Sequence, residues 1–577
     1  METLQGSKYA WILPQEFDTI VDQASKYKLS IPLMHTLTSR GITTKEDIDS
    51  FLFSAFEKEV HDTSLMKDAD KAVKRILEAI ENGEKILVAG DYDVDGITSS
   101  ALMLICLLPL GANINFFLPN RVKDGYGLSP KVVQRAADND YKVIITVDNG
   151  ITAFEPAELA KKLGVDLIIT DHHRPHDKVP DAFAIVDPAQ NDCEYPFKYL
   201  AGVGVTFKIL SLLYAQKGLD IPEKAYELLL FGTVADVVPL KGENRFWVRH
   251  GLNLLNQGES FPVKVMRRNS KLNKPKISAS DIGFFLAPQL NALGRLDDAR
   301  QGVKFLIGAD HKETEFIGSI LLELNDARRE VERSIVEQVE REIKSGNIDF
   351  ETENVIMAAG DNWPAGVIGL VASRMISAHG KPALLFHLTK DGQAKGSCRS
   401  IPEFNMFDAL TKCKDLLTQF GGHSLAAGLS LPQKNLPELK KRLEALVAEQ
   451  LTPFDLQQKI TLDAPIILAD LNKKFMHDMG LFEPFGNENR NPSFLIRDVT
   501  LVEEPRLLKD LHVKFRVFAD GVIKPVMFFN RPELFEQLRH QGEKAFDLAA
   551  QVTENYWNGT STIELIGIDI AFKDELK

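Results

Sequence analysis

Three short acidic motifs constrain this chain more than any other feature. Each begins where an apolar run with strand character stops. Gly90-Asp91-Tyr92-Asp93-Val94-Asp95-Gly96 follows Lys85 to Ala89, Asp148-Asn149-Gly150 follows Val143 to Val147, and Asp171-His172-His173 follows Leu167 to Thr170. Further apolar runs lie at Ile114 to Leu118 and Ala184 to Val186, with helical patterns between most of them, such as Glu155 to Leu163. Strands alternating with helices predict an α/β domain with a parallel sheet covered on both faces. Ligands bind such sheets outside the carboxyl ends of the strands. Five aspartates and two histidines, distant in sequence, are therefore expected at one sheet edge.

That much negative charge does not converge without a counter-ion, because mutual repulsion raises pKa values or opens the site. Carboxylate and imidazole ligands suit Mn²⁺ or Mg²⁺. A further carboxylate, Asp236, stands in the apolar context Gly232-Thr-Val-Ala-Asp236-Val-Val-Pro239, where an unpaired charge is costly. Taken singly, each motif has a plainer reading. Asp-Asn-Gly is a common turn. The first motif could be a calcium loop, but Leu102 holds the place of the bidentate glutamate, and a strand-like run precedes it instead of a helix. Two metals sharing a carboxylate activate water and stabilise the leaving oxygen of a phosphoester. The expected chemistry is metal-assisted hydrolysis of a phosphate ester or anhydride.

With 577 residues the chain exceeds one core. A helical lead-in is expected over 1–60 and the sheet domain over 61–310. A long amphipathic helix follows within 311–350, repeating Val331, Ile335, Val339 and Ile343 at four-residue steps. A second, smaller α/β domain is expected over 351–452. After it come short strands with a helix near Pro532 to Gln541 and an Asn558-Gly559 hairpin turn, predicting a β-barrel of the OB type over 453–577. The net charge of −13 argues mildly against a nucleic-acid partner, an objection that bound divalent metal removes locally. Cys106, Cys193, Cys398 and Cys413 are scattered, so neither a disulfide framework nor a thiolate zinc site is expected, and a cytoplasmic setting fits. No membrane span or signal peptide is visible.

The three motifs and Asp236, in this order and approximate spacing, resemble the four motifs of the DHH phosphoesterases. Leu118-Pro-Asn-Arg121-Val-Lys-Asp-Gly-Tyr126, Leu200-Ala-Gly-Val-Gly204, Leu290-Asn291-Ala-Leu-Gly-Arg295, Gly421-Gly-His423-Ser-Leu-Ala-Ala-Gly428 and Pro484-Phe-Gly-Asn-Glu-Asn489 are similar to the RecJ exonucleases within that family. The resemblance implies a DHH domain, a DHH-associated domain and an OB barrel, with single-stranded DNA threading between the lobes. It implies processive 5′-to-3′ degradation to mononucleotides, in recombination and repair, with two Mn²⁺ or Mg²⁺ ions. By position, Asp93 and Asp148 would hold one metal. Asp95, Asp148, His172 and Asp236 would hold the other, with Asp148 bridging and Asp91 supporting. His173 would face the scissile phosphate. Ser397 and Arg399, in a Gly-Ser-x-Arg-Ser motif, would grip the 5′ phosphate with Arg121. Tyr126 would stack on a base, and Asn291, Arg295 and His423 would lie along the nucleic acid.

Three positions depart from the pattern. Cys398 replaces a usual glycine, Gln289 stands where many relatives have arginine, and Pro364 follows Trp363 where a histidine is frequent. None is an expected metal ligand. A short-oligonucleotide or cyclic-dinucleotide phosphodiesterase, a pyrophosphatase and a non-catalytic replication scaffold are the competing readings. The long OB-like tail argues against the small-substrate enzymes, and the full ligand set argues against the scaffold. A single-stranded-DNA-binding protein and a RecQ-type helicase are partners by resemblance only. The design needs no partner chain, so a monomer is expected.

Overall fold

The computed structural model describes residues 2–120, 125, 127–349, 352–557 and 560–573. The chain divides into two compact units. One holds residues 41–325 and 474–491; the other holds 1–40, 326–473 and 492–577.

The first unit is built on five parallel strands in the spatial order Asn113–Phe117, Lys85–Ala89, Tyr141–Val147, Asp166–Thr170 and Ala184–Val186. Successive side chains of a strand point to opposite faces. Ile86, Val88, Val143, Ile145 and Val147 accordingly join one core, with helices Ala69–Glu81, Val94–Leu107 and Gly202–Gln216. Leu87, Ala89, Ile144, Leu167 and Ile169 join a second core, against helices Pro130–Asp138 and Phe154–Leu163. Burial on both faces explains why the strands read as unbroken apolar runs.

The second unit contains a five-stranded sheet in the order Gln419–Gly422, Ala426–Pro432, Gln393–Arg399, Ala383–Leu388 and Ile356–Gly360. It also contains a closed five-strand barrel. Strand Phe494–Leu501 pairs with Phe546–Trp557, then Thr560–Phe572, Val522–Phe528 and His512–Ala519, which pairs back to Phe494–Leu501. The Leu534–Gln541 helix lies between the third and fourth barrel strands in sequence. This is the OB barrel. The expected Asn558-Gly559 turn lies outside the described residues.

The long helix runs His311–Lys344. Its Ile335 and Val339 are buried against Ile356, Val367 and Val371, so the four-residue stripe is a packing face of the second sheet. The lead-in is not wholly helical, as was expected for 1–60. Thr3–Gln5 and Ala10–Ile12 form strands, and the latter pairs in parallel with Lys459–Thr461. Long-range bonding decides this. Asp569, fully buried, accepts hydrogen bonds from Ser7 Oγ, Tyr9 N and Trp11 Nε1 and tethers the first residues to the last barrel strand. Among the described residues no helix is long and apolar enough to cross a membrane, and all four cysteines are free and buried.

Candidate metal centre

The local sequence fixes each acidic side chain at the strand ends. Asp93 is the N-cap of Val94–Leu107, its Oδ1 accepting from Asp95 N at 2.9 Å and Gly96 N at 3.2 Å. Asp95, in the first turn, is buried. Its two oxygens accept from Gly202 N at 2.6 Å and Val203 N at 2.7 Å, where the Gly202–Gln216 helix starts. Asp148 adopts a left-handed backbone with φ of 61°, which aspartate tolerates better than most residues. Asn149 beside it donates to Ala89 O and Val147 O and accepts from Leu128 N, so the middle residue of Asp-Asn-Gly ties the strand ends together.

Asp171 is not turned to the cluster. Its Oδ1 accepts from His172 N at 2.8 Å and from His173 Nδ1 at 2.7 Å, and its Oδ2 accepts from Ile151 N at 2.9 Å. It holds the backbone of both histidines and the ring of His173. His172 Nε2 lies 3.2 Å from Asp148 Oδ1, 3.6 Å from Asp236 Oδ2 and 3.9 Å from Asp95 Oδ2. Three groups of side chains converge with ligand atoms within 4.8 Å of one another: Asp148, His172 and His173; Asp95, His172 and Asp236; Asp91, Asp93 and Asp148. Asp148 and His172 each belong to two of them. A cavity of about 290 Å³ opens on the cluster, lined also by Tyr92, Asn291 and Arg295.

The electrostatics call for a cation. Burial, and then repulsion from Asp93, push the Asp95 carboxyl up to about 7. Burial and the neighbouring carboxylates hold Asp148 and Asp236 well above the usual range. Burial and the charge of His173 bring His172 down to about 4, so its ring is neutral and Nε2, buried without a hydrogen bond, offers a lone pair. Burial opposes the charge on His173, but the Asp171 hydrogen bond and the surrounding carboxylates outweigh it and raise the ring to about 9. Oxygen and imidazole donors without thiolate fit Mn²⁺ or Mg²⁺.

This yields a pH prediction. A carboxyl whose folded pKa is raised stabilises the fold below its unfolded value, and that stability is lost as pH rises through the folded value. The raised Asp95 carboxyl should therefore cost the metal-free protein thermal stability between about pH 4 and about 7, while the lowered His172 ring acts in the opposite sense between about 4 and its ordinary value. Mn²⁺ competes with those protons. Its stabilising shift in Tm should be larger at pH 8 than at pH 5.5, measured by scanning calorimetry in EDTA-treated buffer.

The remaining expected residues are distributed as follows. Asn291 and Arg295 line the metal cavity. Ser397, Arg399 and His423 belong to the other unit. Arg399 Nη1 donates to Ser397 Oγ at 3.2 Å, and both face Gly369, where a Cβ would come within 2.9 Å of that Oγ. His423 is exposed. Arg121 and Tyr126 lie outside the described residues. The three departures have structural roles. Gln289 is buried and donates to Met266 O, Ser270 Oγ and Phe285 O. Cys398 is buried in the core of the second sheet. Pro364 caps the Ala365–His379 helix. Sequence reading missed Tyr92 as a wall of the cavity. It also missed Gly294, whose close approach to the Tyr92 carbonyl leaves no room for a Cβ; only the glycine inside a helical pattern hinted at it.

Residues 85–233 match the DHH family, N-terminal domain; 352–449 match the DHHA1 domain; 462–569 match the RecJ OB domain. The chain is 34% identical over 572 residues to the single-stranded-DNA-specific exonuclease RecJ of Bacillus subtilis, covering 99% of this chain and 72% of that protein. It is 34% identical over 567 residues to the protein of the same name from Salmonella typhimurium, covering 93% and 96%. Among solved structures it is similar to RecJ from Thermus thermophilus in complex with Mn²⁺, with a TM-score of 0.81 and 26% identity over 98% of this chain and 80% of that one. The same protein has also been solved with Mg²⁺.

Proposed function

The chain belongs to the RecJ family of single-stranded-DNA-specific exonucleases, and from that premise we propose how its own residues carry the reaction. It is a metal-dependent nuclease that degrades single-stranded DNA from an end, in recombination and repair. The observation that carries this reading is the convergence of Asp91, Asp93, Asp95, Asp148, His172 and Asp236 at one sheet edge. Asp93 and Asp148, supported by Asp91, hold one Mn²⁺ or Mg²⁺. Asp95, Asp148, His172 and Asp236 hold a second. Bound there, the two ions supply an activated water and neutralise the charge on the leaving oxygen.

The protein's own groups do the rest. Asp171 holds the His173 ring through Nδ1 and, in the metal-free protein, helps raise its pKa, while His172 presents a buried Nε2 without a hydrogen bond to the metal site. Held through Nδ1 by Asp171, the His173 ring is placed to donate to a phosphate oxygen from Nε2 when it is protonated, as negative charge develops on that oxygen. Arg295 and Asn291, on the wall of the same cavity, hold the adjoining backbone phosphate. Cleavage proceeds from the 5′ end and releases mononucleotides, with the terminal phosphate bound by Ser397 and Arg399. Arg399→Ala should raise KM for 5′-phosphorylated strands roughly tenfold, the loss of one charged hydrogen bond. It should leave kcat near wild type and barely affect 5′-hydroxyl strands, as steady-state kinetics on the two substrates would show.

A single-stranded-DNA-binding protein and a RecQ-type helicase are the partners this role implies, in the cytoplasm. The experiment that tests the function compares a linear single strand, a circular single strand of the same sequence and a blunt duplex, each in Mn²⁺. Only the linear strand should be consumed. Breakdown of the circle would mean endonuclease action and sink the reading.

A further inference from the structure

Pro484-Phe-Gly-Asn-Glu-Asn489 takes no part in the chemistry above, yet it packs with the unit that carries the metal cluster. It grips the chain directly after Asp236. Asn487 Nδ2 donates to Val237 O at 2.7 Å, and Leu240 N donates to Asn487 O at 2.9 Å. Lys241 Nζ pairs with Glu488 Oε2 at 2.6 Å. Gly486 lies so near Leu240 that a Cβ would come within 2.6 Å of its Cδ1.

The gripped backbone is strained. Val237 has φ of 61° and is 63% exposed. A β-branched residue in the left-handed region is an outlier, and an exposed side chain has little packing to hold it there. Such a conformation persists only where its surroundings over-determine it. The gripping loop is itself fixed. Asn489 Nδ2 donates to Phe482 O and Pro484 O, both at 2.8 Å. The buried Arg245 guanidinium donates to Leu481 O at 3.0 Å and Phe482 O at 3.1 Å.

Asp236 needs outside support. It caps the C-terminus of the Lys224–Ala235 helix, where the negative end of the helix dipole disfavours a carboxylate. Asp95 and Asp93 repel it as well. We propose that Asn487 is a positioning residue for Asp236: its side-chain amide holds the peptide after Val237, and with it the left-handed turn that aims the Asp236 carboxylate at the cluster. This rests on the reading of Asp236 as a metal ligand.

The test is Mn²⁺ binding by titration calorimetry on the full chain. The variants are Asn487→Ala, Val237→Gly, the double variant and Asp236→Ala. Glycine adopts a positive φ without strain, so the turn then needs no holding. Asn487→Ala should weaken Mn²⁺ binding roughly tenfold, as loss of a supporting contact does. The double variant should bind within about twofold of Val237→Gly alone, a rescue that general destabilisation would not give. Asn487→Asp is the second variant should alanine misfold. It keeps the shape without the donor, and its added negative charge would favour a cation, so weaker binding there counts doubly. If Asn487→Ala binds like wild type while Asp236→Ala binds weakly, the positioning role is wrong and the ligand assignment stands. A defect that Val237→Gly does not relieve also overturns it. If Asp236→Ala binds like wild type, the ligand assignment fails and takes this inference with it.

Discussion

Asp148→Asn should lower the hydrolysis rate on single strands by about 10³-fold or more. Asp148 is the carboxylate common to two of the converging groups, so its loss weakens the hold on both ions. Metal stabilisation of a phosphoryl transition state is worth several kcal/mol, and each 1.36 kcal/mol is tenfold in rate. Asparagine is the informative replacement, since it tolerates the left-handed backbone at φ of 61° as aspartate does. Stability should move the other way. The Asp148 carboxyl sits well above its usual range because burial and Asp95, Asp93, Asp236 and Asp91 disfavour its charge. Removing that charge should raise the Tm of the metal-free protein at pH 8 and shrink the further gain from Mn²⁺. A variant that is more stable without metal yet nearly inactive identifies a functional carboxylate. Equal loss of both would mark a structural one. Calorimetry with and without EDTA, beside initial rates, separates the two.

Gly202→Ala should be nearly as damaging, although Gly202 is no ligand. A Cβ there would lie 2.6 Å from Asp148 Cβ and 2.9 Å from Asp148 Cα. Backbone cannot swing aside as a side-chain end can, so the start of the Gly202–Gln216 helix must retreat. That retreat pulls Gly202 N and Val203 N from Asp95, whose two oxygens they hold at 2.6 and 2.7 Å. Two carboxylates of the cluster move from a single methyl group. Activity should fall on the order of 10²-fold, because misplacement near 1 Å costs that much even away from the chemistry. Far-ultraviolet circular dichroism should stay near wild type. Gly204, two residues further along the same helix, serves as the control: a Cβ there meets only Leu200 side-chain atoms at 3.3 Å or more, and Gly204→Ala should keep most activity.

Much of the site was legible because its signals are local. Apolar runs ending in acidic motifs place Asp91, Asp93, Asp95, Asp148, His172 and His173 at strand ends, and topology brings those ends together. Metal binding could be argued from like charge alone. What escaped rests on contacts between distant residues. Nothing near Asp171 in sequence says that its oxygens serve His173 Nδ1 and Ile151 N and not the metal. The strands at Thr3–Gln5 and Ala10–Ile12 depend on Asp569 and on pairing with Lys459–Thr461, more than 440 residues away. Asn487 lies in a stretch expected to belong to the barrel domain, yet it holds Val237. Cys398 and Gln289, read as departures from the family pattern, are buried packing and hydrogen-bonding residues.

The most direct test is end-labelled digestion by wild type and Asp148→Asn, in Mn²⁺ and in EDTA. One set of single strands carries the label at the 5′ end and the other at the 3′ end. The 5′ label should leave at once as a mononucleotide, while 3′-labelled strands shorten gradually, only with metal and only in the wild type. Release of the 3′ label first, or equal cleavage by Asp148→Asn, would contradict the account.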